Sequence, residues 1–271
     1  MRRNNLNFDK QRPSMFPYVV IVIIAICIAF VFALFWQSKA EKNQQEENPN
    51  QNIVITPEVN DQLQPKEKSP LVEKSEMVST SYFDDAVFIG DSITTGIDGY
   101  DILENATVIA HTGVNVDTIK TTPFYETEAG TLTAVETLKT IENAEKIYIM
   151  LGANGIAWFP KETLINHYEE FLLSVMEAKP DATIYIQSIL PVTQSMDDLA
   201  NNITNEKIDE YNLALLELAK KLDVYYVDIN SSLKDENNAL PAEASPGDGM
   251  HFGAEYYLKW IDYLRTHTAE E

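Results

Sequence analysis

Three residues of this chain could together form a nucleophile and the pair that activates it. Ser92 stands in FIGDSITTG, directly after a short apolar run, and His251 follows Asp248 by three residues in PGDGMHF. A serine hydroxyl attacks a carbonyl carbon when a base takes its proton, and histidine is the commonest such base. A carboxylate on the same tight turn can keep one imidazole nitrogen protonated, which leaves the other nitrogen free to accept. These residue types and their spacing therefore predict acyl-transfer chemistry.

Each of these residues also has a simpler interpretation. Ser92 could serve merely as a helix N-cap. An aspartate and a histidine in a glycine-rich loop often form a plain turn. Among the other histidines, His267 lies in the terminal tail, and His167 lies on a predicted helix with no acid spaced to orient it. His111 ends a predicted strand and stays an alternative base. The choice among them depends on where the fold places each residue.

Two further residues could stabilise the negative charge that develops on the carbonyl oxygen. Gly113 follows the run TVIAHT, and it has no side chain to keep its backbone N–H away from a ligand. Asn154 follows the run KIYIMLG and offers an amide NH₂ group. Both residue types are also common in ordinary turns after strands. As oxyanion donors they would complete an acyl-transfer site.

The elements that must position these residues alternate between strand and helix. Short β-branched or aromatic runs predict strands buried on both faces of a parallel sheet: Ala86–Gly90, Thr107–His111, Lys146–Gly152, Thr183–Leu190 and Val224–Ile229. Longer stretches with apolar residues three and four apart predict helices: Leu132–Asn143, Lys161–Ala178, Asn205–Leu222 and Ala254–His267. The alternation predicts a three-layer α/β/α sandwich with a central, mostly parallel five-stranded sheet, of the flavodoxin-like type. Ligands bind beyond the carboxyl ends of such strands, where the candidate residues lie.

Four sequence blocks resemble those of the SGNH hydrolase family, also called the GDSL esterase/lipase family. They are FIGDSITTG with Ser92, HTGVN with Gly113, LGANG with Asn154, and DGMHF with Asp248 and His251. The resemblance covers residues 82 to 267, and the blocks follow in the family's order. It implies that Ser92 is the nucleophile, that His251 is the general base and that Asp248 orients it. It also implies an oxyanion hole made by the backbone N–H groups of Ser92 and Gly113 with the side chain of Asn154, and no metal or cofactor.

One residue departs from the family's pattern. Many members have an aspartate directly after the asparagine of the third block, where this chain has Gly155. Similar Asn-Gly versions occur in domains that resemble extracellular peptidoglycan O-acetyltransferases, so acyl transfer to a sugar hydroxyl competes with hydrolysis. A surface carbohydrate-binding module without catalysis is a third hypothesis. It predicts that Ser92 does not react with a fluorophosphonate probe.

The N-terminal part of the chain predicts a membrane anchor. Phe16–Trp36 runs for 21 residues without a charge, and as a helix it would span roughly 30 Å, the thickness of a bilayer core. Residues 1–15 carry four basic residues and one acid, which predicts a cytoplasmic tail. A signal peptide cleaved near Ala40 is the alternative. A lipoprotein at Cys27, the only cysteine, is disfavoured because the apolar run continues past it.

Composition limits the partners of the rest of the chain. Residues 37–80 are polar and aperiodic, which predicts a disordered linker and leaves 81–271 as the SGNH hydrolase domain. Five of the 20 basic and one of the 42 acidic residues precede Ala40, so the segment from Ala40 onward carries a net charge near −26. That charge excludes nucleic acid as a partner and disfavours anionic lipid surfaces. Neutral or cationic substrates fit it better.

The sequence therefore predicts a membrane-anchored serine esterase whose catalytic domain lies outside the cytoplasm. Its expected substrate is a short acyl ester, such as an acetyl ester, of a cell-envelope glycan or another carbohydrate. Its expected membrane contact is Phe16–Trp36. A lipase acting on bulk lipid fits less well, because the polar linker and the acidic domain hold the site away from an anionic bilayer. Four residues follow two of the blocks, and they either line a substrate pocket or pack locally: Ile97, Tyr100, Trp158 and Phe159.

Overall fold

The computed structural model describes residues 69–128, 130–199 and 202–269. The predicted cytoplasmic tail 1–15, the predicted anchor Phe16–Trp36 and most of the predicted linker lie outside these ranges. Inside them, no helix has both the length and the apolar character that crossing a bilayer requires. The described ranges cover nearly all of the predicted hydrolase domain.

The centre of the domain is a parallel sheet. The described strands are β1 (Ala86–Gly90), β2 (Thr107–Ala110), β3 (Tyr125–Thr127), β4 (Gly130–Leu132), β5 (Lys146–Met150), β6 (Thr183–Gln187) and β7 (Tyr225–Val227). Five of them form one sheet in the order β2-β1-β5-β6-β7, with every neighbouring pair parallel, whereas β3 and β4 pair as a short antiparallel hairpin. The predicted central five-stranded parallel sheet is confirmed, while the hairpin is a feature that the apolar runs do not predict.

Several strands end before the apolar run that predicts them. The run of β6 continues to Leu190, but the backbone N–H of Ile189 donates to the side chain of Asn212 and not to a neighbouring strand. The run of β5 continues to Gly152, whose φ of +129° departs from extended backbone. These apolar residues are buried in loops at the carboxyl edge of the sheet, so their sequence pattern does not distinguish them from strand.

Helices follow most of the strands. The described helices are α1 (Thr95–Gly99), α2 (Ala134–Thr140), α3 (Ala153–Ile156), α4 (Lys161–Ala178), α5 (Gln194–Asp197), α6 (Asn205–Leu222), α7 (Ile229–Leu233) and α8 (Ala254–Arg265), with a 3₁₀ turn at Thr80–Phe83. The four predicted helices correspond to α2, α4, α6 and α8. α2 is shorter than predicted because Leu132 belongs to β4 and a capping box between Thr133 and Glu136 begins the helix.

Helices cover both faces of the sheet, because alternate residues of a buried strand point to opposite faces. Val87 and Ile89 of β1 belong to an apolar core with residues of α2, α4 and α6. Phe88 between them belongs to a second core with residues of α1, α7 and α8. Tyr168 of α4 and Trp260 of α8 are fully buried, one in each core. The predicted three-layer arrangement is present, and it places the carboxyl ends of the parallel strands at one edge.

Residues 69–79 lie against the domain, whereas the sequence predicts a linker up to residue 80. The N–H of Val72 donates to the carbonyl of Tyr226 in β7, and the Val72 side chain is buried. Farther along, the N–H of Ser75 donates to the carbonyl of Thr266 after α8. Because these contacts are mostly backbone hydrogen bonds, the polar composition of the segment gives no sign of them.

Candidate active site

Three of the candidate residues follow neighbouring strands at one edge of the sheet. The last residue of β1 pairs with the last residue of β2 and with the last residue of β5. Ser92 follows β1 by two residues, Gly113 follows β2 by three and Asn154 follows β5 by four. Because the strands are parallel and adjacent, all three residues lie beyond the carboxyl ends, where α/β sheets bind ligands.

We call residues 90–96, which carry Ser92, the nucleophile turn. Close packing fixes this turn. A Cβ atom at Gly90 would stand 1.9 Å from Oγ1 of the buried Thr94, so only glycine fits at the end of β1. From the helical layer, the hydroxyl of Tyr257 in α8 donates to the carbonyl of Ile93 at 2.6 Å. The backbone on both sides of the serine is therefore held in place.

Ser92, His251 and Asp248 form a continuous chain of hydrogen bonds. Oγ of Ser92 lies 2.8 Å from Nε2 of His251, and Nδ1 of His251 lies 2.7 Å from Oδ2 of Asp248. An ionised carboxylate can only accept, so it keeps the proton on Nδ1 and leaves Nε2 to accept from the serine hydroxyl. The structure thus brings together the three residues that the sequence analysis selects for proton transfer.

Asp248 is held as a charged acceptor by donors from its own turn. Its Oδ1 accepts from the backbone N–H groups of Met250 and His251, each at 2.9 Å, and from the hydroxyl of Ser245 at 3.2 Å. Partial burial raises the pKa of the carboxyl group, but the hydrogen bonds from the His251 N–H, its ring and the Met250 N–H outweigh burial. The net effect lowers the pKa of Asp248 well below its usual range. The group is therefore ionised at neutral pH, as the orientation of His251 requires.

A glycine closes this turn and joins it to the loop after β6. Gly249 has φ of +79°, and a Cβ there would stand 2.5 Å from Oγ1 of Thr193 and 2.6 Å from Cβ of Met196. Its carbonyl accepts from the N–H of Thr193 at 2.9 Å. Val192, which precedes Thr193, is hydrogen-bonded through both its N–H and its carbonyl to the side chain of the buried Asn205. The position of residues 248–251, the acid–base turn, therefore depends on the loop after β6.

The two predicted oxyanion loops are tied to each other. Nδ2 of Asn154 donates to the carbonyl of Val114, next to Gly113, at 2.9 Å. Gly113 has φ of +85°, which glycine adopts without strain. Among the described residues, neither the N–H of Gly113 nor that of Ser92 has an acceptor, and the Asn154 amide has a second hydrogen to offer. These donors lie at the same edge as the serine hydroxyl, which is what stabilisation of an oxyanion needs.

The other histidines have separate contacts. His111, the alternative base, is exposed and its ring lies 5.4 Å from that of Phe124. His167 packs edge-on against Phe159 at 5.6 Å, and His267 lies after α8. His251 is thus the histidine that contacts Ser92. Across the three described ranges, no group of three or more His, Cys, Asp or Glu residues is arranged to hold a metal ion.

Asp91 is a residue at the site that the sequence analysis does not select. It precedes Ser92, it is 2% exposed, and its Oδ1 accepts from the N–H of Ile93 at 3.1 Å. Burial raises the pKa of Asp91 to about 6, although the Ile93 N–H and the charge of His251 act in the opposite direction. An aspartate after a strand is usually an exposed cap, so only packing reveals its burial. Ser245, the buried donor to Asp248, is missed for the same reason.

The fold and the site define a class of protein, namely an α/β/α hydrolase whose serine follows the first strand. The sequence matches the family model of the GDSL-like lipase/acylhydrolase family over residues 88–259, more than half of the chain. The chain belongs to this family and is an ester hydrolase by class. The family resemblance that the four sequence blocks indicate is therefore confirmed. No curated protein matches the chain.

The solved structures that this chain is similar to include three bacterial proteins. One, from Streptococcus pneumonia and provisionally described as a platelet activating factor, is 24% identical, with a TM-score of 0.55 over 69% of this chain and 89% of its own. A GDSL-like lipase from Bacteroides thetaiotaomicron VPI-5482 is 16% identical, with a TM-score of 0.46 over 67% and 84% of the two chains. A carbohydrate acetylesterase from Sinorhizobium meliloti is 13% identical, with a TM-score of 0.46 over 66% and 96%. The likeness to the streptococcal protein shows a shared fold.

Proposed function

We propose that this chain is a serine esterase that removes a short acyl group, such as acetyl, from a cell-envelope glycan or another carbohydrate through an acyl-enzyme on Ser92. The observation that carries the proposal is the hydrogen-bonded chain from Ser92 through His251 to Asp248. The N–H of Gly113, which has no acceptor among the described residues, and the second amide hydrogen of Asn154 lie at the same edge of the sheet. A residue that only caps a helix needs neither the ordered base nor these donors.

The site residues divide the steps of the proposed reaction among them. Oγ of Ser92 attacks the acyl carbon while Nε2 of His251 takes the hydroxyl proton. The carbonyl oxygen becomes an oxyanion and accepts from the backbone N–H groups of Ser92 and Gly113 and from the side-chain amide of Asn154. The acyl C–O bond then breaks, and the sugar oxygen leaves with the proton from His251. Asp248 stays ionised throughout and stabilises the imidazolium.

The second half of the reaction uses the same groups with water as the nucleophile. Water gives a proton to His251 as its oxygen attacks the acyl carbon. The ester bond to Ser92 breaks, the serine regains its proton from His251, and the carboxylic acid is released. The enzyme is then in its starting state, and one water has been consumed for each ester cleaved.

The exposure of the site supports a short acyl group on a large alcohol. The side chains of His251 and Asp248 are 46% and 56% exposed. Such an open edge can receive an ester that projects from a bulky glycan, and it lets water reach the acyl-enzyme. A net charge near −26 from Ala40 onward favours a neutral sugar over an anionic lipid surface.

The proposal includes a location outside the cytoplasm, on a single membrane anchor. Its support is the uncharged run Phe16–Trp36 and the basic residues before it. The intact mass of the chain purified from membranes tests this location. A mass that includes residues 1–36 is expected, and a chain beginning near Ala40 would instead indicate a cleaved signal peptide.

Replacement of the serine tests the proposed chemistry directly. Ser92→Ala in the full chain should lower kcat for p-nitrophenyl acetate at least about 10³-fold, because the nucleophile is gone. It should also abolish labelling by a fluorophosphonate probe. Ser174→Ala is a matched control, since this serine lies on α4 and donates to the carbonyl of Glu170. Undiminished turnover by Ser92→Ala would refute the assignment.

An O-acyltransferase using the same site is the competing proposal. The departure at Gly155 does not decide between them, because a Cβ there would meet Leu164 at 2.8 Å and Phe159 at 3.4 Å, on the core side of the turn. The exposure of His251 favours hydrolysis, since water has free access. Product analysis with an acyl donor and a glycan acceptor separates the two activities. Hydrolysis leaves free acid, whereas transfer leaves an acylated sugar.

A further inference from the structure

We propose that Trp158 is a stacking platform for the sugar ring that carries the ester, an inference that rests on the proposed function. Tryptophan is a large apolar residue that is highly buried on average. Trp158 is 81% exposed, which is more than any other exposed large apolar residue of the described chain. The question is whether this indole lies beside the site and what it could bind there.

Trp158 follows the oxyanion donor Asn154 by four residues, just after the short helix α3. The N–H groups of Trp158 and Phe159 both donate to the carbonyl of Gly155, at 3.0 and 2.9 Å, and Ala157 has helical backbone angles. Four residues of helical backbone rise about 6 Å along the axis. The backbone of Trp158 therefore lies about one turn beyond the residue whose amide would bind the scissile carbonyl oxygen.

The opposite side of this turn is buried, so its backbone is fixed. Ile156 is fully buried, and the space beside Gly155 is filled by Leu164 of α4. The hydroxyl of Tyr211 in α6 donates to the carbonyl of Phe159 at the end of the turn. A platform on a fixed backbone loses little conformational entropy when it binds a ligand, which is the usual requirement for a recognition residue.

The other two aromatic candidates near the blocks, Tyr100 and Phe159, have different environments. Tyr100 is 49% exposed, and its ring lies 5.3 Å from that of Tyr257, which itself holds the nucleophile turn. Phe159, the neighbour of Trp158, packs against the core. The structure therefore separates two packing aromatic residues from one whose ring is open to solvent.

The chemistry of the exposed ring fits a neutral sugar. The face of an indole can pack against the apolar C–H groups of a pyranose while the hydroxyl groups of the sugar stay in water, and Trp is suited to such half-wet surfaces. An anionic bilayer would be repelled by the charge near −26 that follows Ala40. A long acyl chain would need an enclosed apolar groove, whereas Trp158 projects into solvent.

The test compares two esters that differ in whether they carry a sugar ring. Trp158→Ala in the full chain should raise KM for glucose pentaacetate about 3- to 10-fold, the range of an aromatic contact, with kcat little changed. kcat/KM for ethyl acetate should stay within about twofold, because that ester has no ring to stack. Trp158→Phe should raise KM less than Trp158→Ala. An unchanged KM for the sugar ester, or an equal loss on both esters, would overturn the inference.

Control variants distinguish sugar stacking by Trp158 from a general loss of activity and from a failure of the proposed function. Leu213→Ala removes another exposed apolar side chain, on α6, and should change neither ester. A loss that is larger for p-nitrophenyl octanoate than for glucose pentaacetate would assign Trp158 to the acyl chain and refute sugar stacking. If Ser92→Ala keeps full turnover of ethyl acetate, the proposed function fails and this inference falls with it. Ser92-dependent turnover with no effect of Trp158 refutes the platform alone.

Discussion

The turn that carries Ser92 and the turn that carries His251 reach the same hydrogen bond from different physical situations. The nucleophile turn is enclosed: Asp91 is 2% exposed, Thr94 is fully buried, and a Cβ at Gly96 would stand 2.1 Å from the ring of Tyr257. In the acid–base turn the catalytic side chains are open to solvent, with about half of the side-chain surface of His251 and Asp248 exposed, while Gly249 between them is buried. Its order comes from hydrogen bonds to Oδ1 of Asp248 and to the carbonyl of Gly249.

This contrast predicts which substitutions change the stability of the protein and which change its activity. Close packing couples the nucleophile turn to β5 and α8, so changes there should alter the free energy of unfolding. An exposed turn held by hydrogen bonds contributes less to stability, and changes there should alter mainly the reaction. Three substitutions test this division; in order of decreasing expected effect they are His251→Ala, Asp91→Asn and Gly96→Ala.

His251→Ala should have the largest effect, and the effect should be on activity. Loss of the base is expected to lower kcat for p-nitrophenyl acetate at least about 10³-fold. Because the side chain is 46% exposed, the free energy of unfolding should change by less than about 1 kcal/mol. Urea unfolding followed by circular dichroism measures the second quantity. A large loss of stability would show that this turn is packed as tightly as the nucleophile turn.

Asp91→Asn should change how stability depends on pH. The folded pKa of about 6 lies above the ordinary 3.8, so the folded state keeps a proton that the unfolded state loses between these values. The free energy of unfolding therefore falls as pH rises from about 4 to 6, by about 3 kcal/mol for a shift of about two pKa units. The asparagine variant lacks this fall and should be the more stable protein at pH 7.

Urea unfolding at pH 4, 5, 6 and 7 checks the prediction for Asp91. The contribution of Asp248 has the opposite sign, because its folded pKa is lowered and its stabilisation is lost only as pH falls below about 4. Asp248→Asn is therefore a suitable control, with an effect outside the window of Asp91. Parallel curves for the native chain and Asp91→Asn between pH 4 and 7 would contradict the enclosed state of the nucleophile turn.

Gly96→Ala should have the smallest effect of the three, on stability. The new Cβ would overlap the Tyr257 ring, and overpacking of this kind costs about 2 kcal/mol. Gly99→Ala, in the same helix α1, adds a methyl group with no atom within 4 Å and should be neutral or slightly stabilising. Urea unfolding of the two variants side by side makes the comparison. Equal stability would mean that Tyr257 moves aside freely.

The sequence predicts the parts of this molecule that depend on local patterns. The buried runs identify all five strands of the sheet, and the residue types and spacing select Ser92, Asp248 and His251. Contacts between distant segments leave no local pattern, so the clamp of Asn205 on Val192 is found only in the fold. The same holds for the difference between Trp158 and Tyr100, because an aromatic residue after a strand looks alike whether it packs or projects.

Residues 69–79, which precede the 3₁₀ turn at Thr80–Phe83, have a consequence for solubility. β7 is an edge strand of the sheet, and an uncovered edge strand offers unpaired backbone groups to other chains. Here the N–H of Tyr226 donates to the carbonyl of Pro70 at 2.7 Å, and its carbonyl accepts from Val72 at 2.9 Å. Pro70 itself has no N–H, so it cannot donate to a further strand. A chain shortened to begin at Ser81 would uncover Tyr226 and should self-associate, because residues 70–72 shield the sheet from its own copies.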